Sequence, residues 1–485
     1  MMGGRMIVRQ LLGASALALA LPAPAMADTL QEALARAYRS NPTITAARAG
    51  QRANDENVPI QKASGRPDLS TSGTYTEQVE QSGGFNARRN VQASATLNVP
   101  VYSGGAVRNG INAAKRRVES GQANLQGTEA SVFSQVVAAY MDVIRDSAIV
   151  SLNRANVNVL EVNLQATNDR FEVGDLTRTD IAQSESRLAL ARSDLQTAEA
   201  NLITSRENYI ALIGIAPDNL ETPPDLPGLP TTPDAAVVVA LRDNPDIRAA
   251  KKELEATGYD VRVARAGRLP TLSTFAQGTY QDYLGSLKSE VPGVVNQNSH
   301  STAVGATLRI PLFQGGRPAA QIRQSQALES QAIEREIETE RSIIAQTRAA
   351  YASWQASLQT ITSSRKAVDA AALSLEGVRA ENTVGSRTIL DILNAEQEAL
   401  TARVELVSAE RNAYVAGFTV LAAMGHAKGD DLGLDGGVLY DPNVNYNRVN
   451  DKFIDWDEDP DPAPVATRTV DSPAQNANVA AASAQ

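Results

Sequence analysis

A chain of 485 residues with a formal net charge of -10 and no cysteine excludes disulfides, zinc–thiolate clusters and thiol chemistry, and its charge argues against nucleic acid as a partner. Aromatics are only 4% and histidines only two, His300 and His426. A composition heavy in Ala, Gln, Ser and Asn suits long thin helices with narrow apolar seams better than a thick globular core.

The chain opens with Arg5 and Arg9, then the apolar run "LLGASALALALPAP" and "AMAD", with Ala25 and Ala27 before a cleavage point at Asp28. Residues 1–27 therefore read as a secretory signal peptide, the run being too short for a membrane-spanning helix; an uncleaved anchor is the alternative. Without a cysteine there is no lipoprotein anchor, and no later run reaches eighteen apolar residues. Any membrane residence must come from β-strands.

Residues 28–214 form a first unit. Short helices are expected over Leu30–Arg66, followed by a β-hairpin over 69–101. In its second strand Val91, Ala93, Ala95, Leu97, Val99 and Val101 alternate with Gln92, Ser94, Thr96 and Asn98. Strict period two over about ten residues is the pattern of a strand between lipid and water, although a half-buried soluble sheet alternates in the same way. The swivel Pro100, Gly104 and Gly105 should end the strand and launch a helix from Ala106 to Val173. That helix carries heptad-spaced Ile111, Val118, Leu125 and Val132, a four-residue stutter, then Val136, Val143, Val150, Val157, Leu164 and Phe171. Sustained sevens mean paired, supercoiled helices. A tip at "EVGDLTRTD" and a returning helix from Thr179 to Leu212 complete a coiled-coil hairpin over 106–212.

Six prolines mark 215–234 as a stiff extended linker. Residues 235–425 then repeat the first unit. Pro100 and Pro311, Tyr140 and Tyr351, Gly174 and Gly385, Asp180 and Asp391 are each 211 positions apart, and the "NP" pairs at Asn41 and Asn244 are 203 apart. The offset changes inside the longer loop "GSLKSEVPGVVNQNSH", as expected of two copies of one fold. The second hairpin falls at 271–313, with Thr302, Val304, Ala306, Leu308, Ile310 and Leu312 on one face. Its swivel is Pro311, Gly315 and Gly316, and its coiled-coil hairpin spans 317–424. Tyr75, Tyr102, Tyr280, Tyr283 and Phe313 lie near strand ends, where an interfacial aromatic girdle would stand. Residues 426–485 read as an acidic, disordered tail whose carboxylates form a solvated face rather than a cation site.

Four strands per chain cannot close a barrel in lipid, where open edges leave backbone groups unsatisfied. The predicted fold is mainly α with a membrane β-barrel, a duplicated helix–β-hairpin–long-helix–helix unit that needs copies of itself.

At this point the chain resembles the TolC family of outer-membrane channel-tunnels. The resemblance rests on the paired "NVPVYSGG" and "RIPLFQGG" swivels, the "NP" near each repeat start, and the tips "FEVGDLTRTDIAQSE" and "NTVGSRTILDILNAE". It implies a homotrimer with a twelve-stranded outer-membrane barrel and a twelve-helix periplasmic tunnel, docking to a periplasmic adaptor and an inner-membrane transporter, ABC or proton-driven. It also implies a passive exit duct for type I secretion or drug efflux, with no cofactor. Matched residue by residue, Thr179, Asp180 and Arg387 fall on links that close the periplasmic tip, and Asp391 on a carboxylate ring at the constriction. Val173, Gly174, Leu176, Val384 and Gly385 fall on the adaptor-contacting tips. Asn382 stands where the best-known member has a tyrosine link, and Asn394 where it has a second ring carboxylate, so lock and ring are expected to be weaker. For Asp180 and Asp391 a helix N-terminal charge would explain the position equally well.

Two rival readings remain. A periplasmic adaptor also carries a coiled-coil hairpin, but one hairpin flanked by split β-domains rather than two full copies. A periplasmic enzyme or binding protein would need a nucleophile–base pair, metal-ligand spacing or a phosphate loop, and none is present in the sequence. The absent lipid-anchor cysteine and the tail "YDPNVNYNRVNDKFIDWDED" lean toward secretion members without naming the cargo.

Overall fold

The computed structural model describes residues 28–80, 87–287, 295–434 and 439–479. The signal peptide and its cleavage point, and part of the longer second-copy loop, lie outside them.

Each copy begins with helices broken at its Asn-Pro pair. α1 (Leu30–Ser40) is capped by Thr29, and α2 (Pro42–Asp55) and α3 (Asn57–Ala63) follow. In the second copy α6 (Pro233–Asp243) is capped by Thr232 and leads to α7 (Pro245–Ala266). Proline at the first helical position costs no hydrogen bond, and the preceding asparagine caps the new helix. Asn41 Oδ1 accepts from Thr43 N at 2.9 Å while its Nδ2 donates to Leu212 O at 2.8 Å. Asn244 Oδ1 accepts from Asp246 N and its Nδ2 donates to Ala423 O, both at 2.9 Å. Each "NP" thus starts one helix and satisfies the end of the returning helix of its own copy.

The long helices are α4 (Ala106–Glu172) and α8 (Arg317–Thr383), 67 residues each, or about 100 Å at 1.5 Å per residue. Each is followed by a returning helix, α5 (Arg178–Ile213) or α9 (Ile389–Ala423). In α4 the heptad residues Val118, Leu125, Val132, Val136, Val143, Val150 and Val157 are buried, whereas Ile111 and Leu164 are half-buried and Phe171, near the tip, is exposed. The widest core sits midway along, where Phe133, Val136, Val137 and Tyr140 meet Leu34, Ala37, Tyr38 and Ile44 from α1 and α2, and Leu202, Tyr209 and Ile213 from α5. The matched tyrosines secure the chain entering each copy. Tyr351 donates to Thr231 O at 2.8 Å, and the Tyr140 hydroxyl lies 2.8 and 2.7 Å from the carbonyls of Asp28 and Glu221.

β1 (Asp68–Glu77), β2 (Arg89–Tyr102), β3 (Thr271–Asp282) and β4 (Asn298–Arg309) form one antiparallel sheet in that order. Register puts Leu69, Leu97, Ala276 and Val304 in one row of one face. The opposite face carries the row Ser72, Ser94, Thr279 and Ser301, in which the two hydroxyls of Ser72 and Ser94 lie 2.8 Å apart. A water-facing and an oil-facing side therefore run unbroken across both copies. Among the described residues, β1 and β4 have no partner on their outer edges.

Three expectations are corrected. Pro100 does not end its strand, because β2 runs on to Tyr102. The pairing of β1 stops at Asp68–Asn98, so Pro100 is paired on one side only, with Ser273 of β3, and a register shift between Pro100 and Tyr102 follows it. In the second copy the strand ends earlier than expected, at Arg309, leaving Ile310 and Leu312 outside it. The third is the tail. It contains α10 (Pro442–Val449), capped by Asp441, with Val449 fully buried and Asn445 Nδ2 donating to Asp55 at 2.8 Å. Beyond it Arg206 donates to the carbonyl of Asn478 at 2.8 Å, and Gln475 N donates to Glu207 at 3.1 Å. Polar side chains of α2, α3 and α5 hold this segment, and Leu434, Leu439, Tyr440 and Ala477 pack against the central core.

Candidate functional site: the helical tips

The two tips are built alike. At the end of α4, Gly174 N donates to Phe171 O and Asp175 N to Arg170 O, both at 2.9 Å, with Gly174 at φ 83°. At the end of α8, Gly385 N donates to Asn382 O and Ser386 N to Glu381 O, both at 3.0 Å. Both are the glycine-closed helix terminus in which a left-handed residue turns the chain back onto the last carbonyls. Val173 and Val384 are thereby pushed into solvent, 80% and 79% exposed, while Leu176 is half-buried.

The next helix starts with a reciprocal cap in each copy. Thr177 Oγ1 accepts from Asp180 N, and the Asp180 carboxylate accepts from Thr177 N at 2.9 Å and from its hydroxyl at 2.8 Å. Thr388 and Asp391 do the same at 2.9 and 2.8 Å. These backbone hydrogen bonds from the threonines, then the side-chain ones, hold both aspartates below the usual carboxylate range. Asp180 and Asp391 therefore carry full charge at neutral pH and serve first as caps. Thr179 lies exposed in the first turn of α5.

Within one chain Asp180 and Arg387 are not brought together. Arg387 Nε donates to Glu381 at 2.7 Å, and that hydrogen bond strengthens the charge of the guanidinium. The two departures also have partners. Asn382 Nδ2 donates to Arg387 O at 2.8 Å and so closes its own loop, while Asn394 accepts from Arg187 Nη2 at 2.7 Å across to the other hairpin.

Sequence reasoning missed Glu381 and Glu396. Glu396 is 6% exposed, receives Asn163 Nδ2 at 3.0 and 3.1 Å, and pairs with Arg379 at 3.0 Å. It lies among Ile392, Leu393, Ala395, Ala399 and Leu400 on the buried side of α9. A carboxylate inside an apolar stripe was the signal available. Together with Arg187–Asn394 and a two-point pair of Arg411 on Asp142, at 2.8 and 3.1 Å, it ties the hairpins of the two copies by polar contacts above the tips.

At the other end of the long helices Gly105 and Gly316 cap α4 and α8 at φ 87° and 82°, each preceded by a second left-handed glycine, Gly104 or Gly315. Four residues confined to this conformation turn strand tilt into helix axis with no side chain in the bend.

Residues 30–215 and 236–426 match the family model described as outer membrane efflux protein. The chain is 33% identical over 431 residues to the outer membrane efflux protein BepC of Brucella suis, covering 89% of this chain and 92% of that one. It is 24% identical to the outer membrane protein TolC of Escherichia coli, over 84% of each. The fold is similar to the outer membrane channel CmeC of Campylobacter jejuni, with a TM-score of 0.72 and 17% identity over 87% of this chain and 89% of that one. Matches spanning both copies are not those of an adaptor, and the matched proteins are channels and efflux proteins rather than enzymes. This chain belongs to the TolC-type outer membrane efflux protein family, with its sheet as part of an outer-membrane β-barrel and its long helices as part of a helical barrel below it.

Proposed function

We propose that three copies of this chain form a passive exit duct, opened at its periplasmic tip by an adaptor protein and an inner-membrane transporter. One observation carries the reading: a membrane sheet of four strands whose edge strands β1 and β4 have no partner among the described residues. In lipid each unpaired backbone group costs several kcal/mol, so the edges of one chain must meet those of the next. Three copies give twelve strands. Two would give eight, also closable, and the family favours three.

The tip residues then act between chains. Asp180 and Arg387 would pair across neighbouring hairpins, with Arg387 exchanging its Glu381 contact for Asp180, and Thr179 beside them. Asp391 from each chain would form an anionic ring at the narrowest point. Val173, Gly174, Leu176, Val384 and Gly385 would be the surface an adaptor grips. Native mass spectrometry in detergent, combined with planar-bilayer recording, tests the reading. A stable trimer with one closed-state conductance per particle supports it. A monomer, a stable dimer, or trimers that never conduct would overturn it.

A further inference from the structure

The tail beyond α10 takes a path that the duct does not explain. From Val449 it climbs along α3 toward the barrel. Lys62 Nζ donates to Asn450 O and pairs with Asp451, both at 2.9 Å. Arg66 donates to Lys452 O at 2.6 Å, and its guanidinium stands 5.2 Å from the centre of the Phe453 ring. Arg66 is two residues before the first residue of β1, and Gly65 lies against Val107 in the first turn of α4. Phe453 is therefore level with the swivel, at the periplasmic rim of the barrel.

There the chain reverses. Asp457 N donates to Ile454 O at 3.3 Å, Lys452 pairs with Asp457 at 3.1 Å, and Arg448 bonds Asp459 at 2.7 Å on the way back. By Thr467 it stands beside Gly214, at the end of α5. The ascent and return leave an apex of exposed apolar residues, Phe453 at 65%, Ile454 at 70% and Trp456 at 90%, of which Phe453 and Ile454 share a shallow groove with Pro59, Ile60 and Ala63 of α3. Ile60 beneath them is also exposed. Three large apolar side chains displayed together at the end of a detour, beside a membrane-spanning sheet, are poorly placed for water and well placed for an interface.

We propose that the Phe453–Trp456 apex inserts into the periplasm-facing leaflet of the outer membrane, as an anchor beside the barrel. Tryptophan favours the headgroup level, where an apolar body meets a wet boundary, and Phe453 and Ile454 would add apolar area to bury. Held by Arg66, two residues before β1, the apex would form a second point of attachment outside the sheet. Lys452 and Arg66 stand directly below, within reach of lipid phosphates. Asp455, Asp457, Glu458 and Asp459 outnumber them, which suits a zwitterionic rather than an anionic surface.

The test uses the full chain in phosphatidylcholine nanodiscs. The protein has two tryptophans, Trp354 and Trp456, so Trp354→Phe leaves the apex as the only emitter. The expected result is a blue-shifted emission, little quenching by iodide, and loss of most of the signal with lipids brominated near the glycerol end of the acyl chain. A Phe453→Ser, Ile454→Ser change in that background should restore iodide access. Water-like emission quenched by iodide would overturn the proposal. So would a dry tryptophan insensitive to bromine, which would place a neighbouring subunit over the apex. Should Trp354→Phe fail to assemble, the difference between wild type and Trp456→Phe supplies the same spectrum. Conductance of the same preparations is read in parallel, so failure of the anchor is distinguishable from failure of the duct.

Discussion

The two copies share one plan yet are packed differently. In the first, α4 is lined by α2, α5, α7, α9 and the tail, and its heptad valines are buried. In the second, the matched positions of α8 include the half-buried Glu329 and Glu336, and only a few residues such as Ile322, Ile343, Thr347 and Ala350 are covered. Tyr140 is fully buried, whereas its counterpart Tyr351 is half-buried against Trp354. Loops, caps and swivels were kept by both copies because backbone geometry demands them. Seams diverged because each faces different neighbours. The first copy carries the core of the single chain, while the second leaves a long face open, which the proposed trimer would cover.

The largest expected effect tests that division. Phe133→Ala removes a fully buried ring from the central core and should destabilise the helical part by about 3–5 kcal/mol. The matched Ile344→Ala, at a half-buried position, should cost well under half as much. Helical circular dichroism during thermal unfolding reads both, and equal losses would break the comparison.

Next come the swivels. A side chain at Gly104 or Gly315 meets the same left-handed backbone penalty, about 1–2 kcal/mol. At Gly104 a Cβ would also stand 2.9 Å from Leu269 Cβ and 3.0 Å from Ala266 O, whereas at Gly315 nothing among the described residues lies within 4 Å. Gly104→Val should therefore abolish heat-stable oligomers, and Gly315→Val should only lower their yield. The double change Gly315→Val, Gly316→Val should approach the Gly104→Val result. Gel mobility of unheated samples separates these outcomes.

A smaller and symmetrical effect is expected at the "NP" breaks. Asn41→Ala and Asn244→Ala each remove a cap and a bond to the returning helix, at about 1–2 kcal/mol apiece. Here the copies should behave alike, since both side chains make the same two kinds of contact. A large inequality in thermal midpoint would mean that one break is held by its surroundings instead.

Much of this was legible in the sequence, and the physical reason is local. Glycine, proline and N-cap residues act within a few positions, so the "NP" breaks, swivels and tips can be found by their spacing. Period-two strands and sustained heptads are equally local. The rest depended on distant neighbours. Pro100 stays in its strand because β1 has already ended beside it. The tail is ordered because Asp55, Lys62, Arg66 and Arg206 hold it, hundreds of positions away. Arg387 bonds Glu381 in its own tip, and no spacing rule ranks that contact above a partner in another chain.

The finest contrast lies between the two tip aspartates, which have identical caps and different proposed roles. Asp180 would pair with Arg387 of a neighbouring hairpin, whereas Asp391 would line the ring. Removing Arg387 as Arg387→Ser should therefore raise closed-state conductance in planar bilayers. Asp391→Asn, which preserves an acceptor for Thr388, should leave conductance nearly unchanged and remove block by trivalent cations. Acidification gives an independent check. Both carboxylates titrate below their unfolded value because the threonine hydrogen bonds favour the charged form. Charge and cap are thus fully present above about pH 4, the ordinary aspartate range, and are lost as pH falls through the lower folded value. Cation block should persist down to that range and fade beneath it, with the tips loosening over the same interval. If block disappears near neutral pH, or survives Asp391→Asn, the ring lies elsewhere and Asp391 is a cap alone.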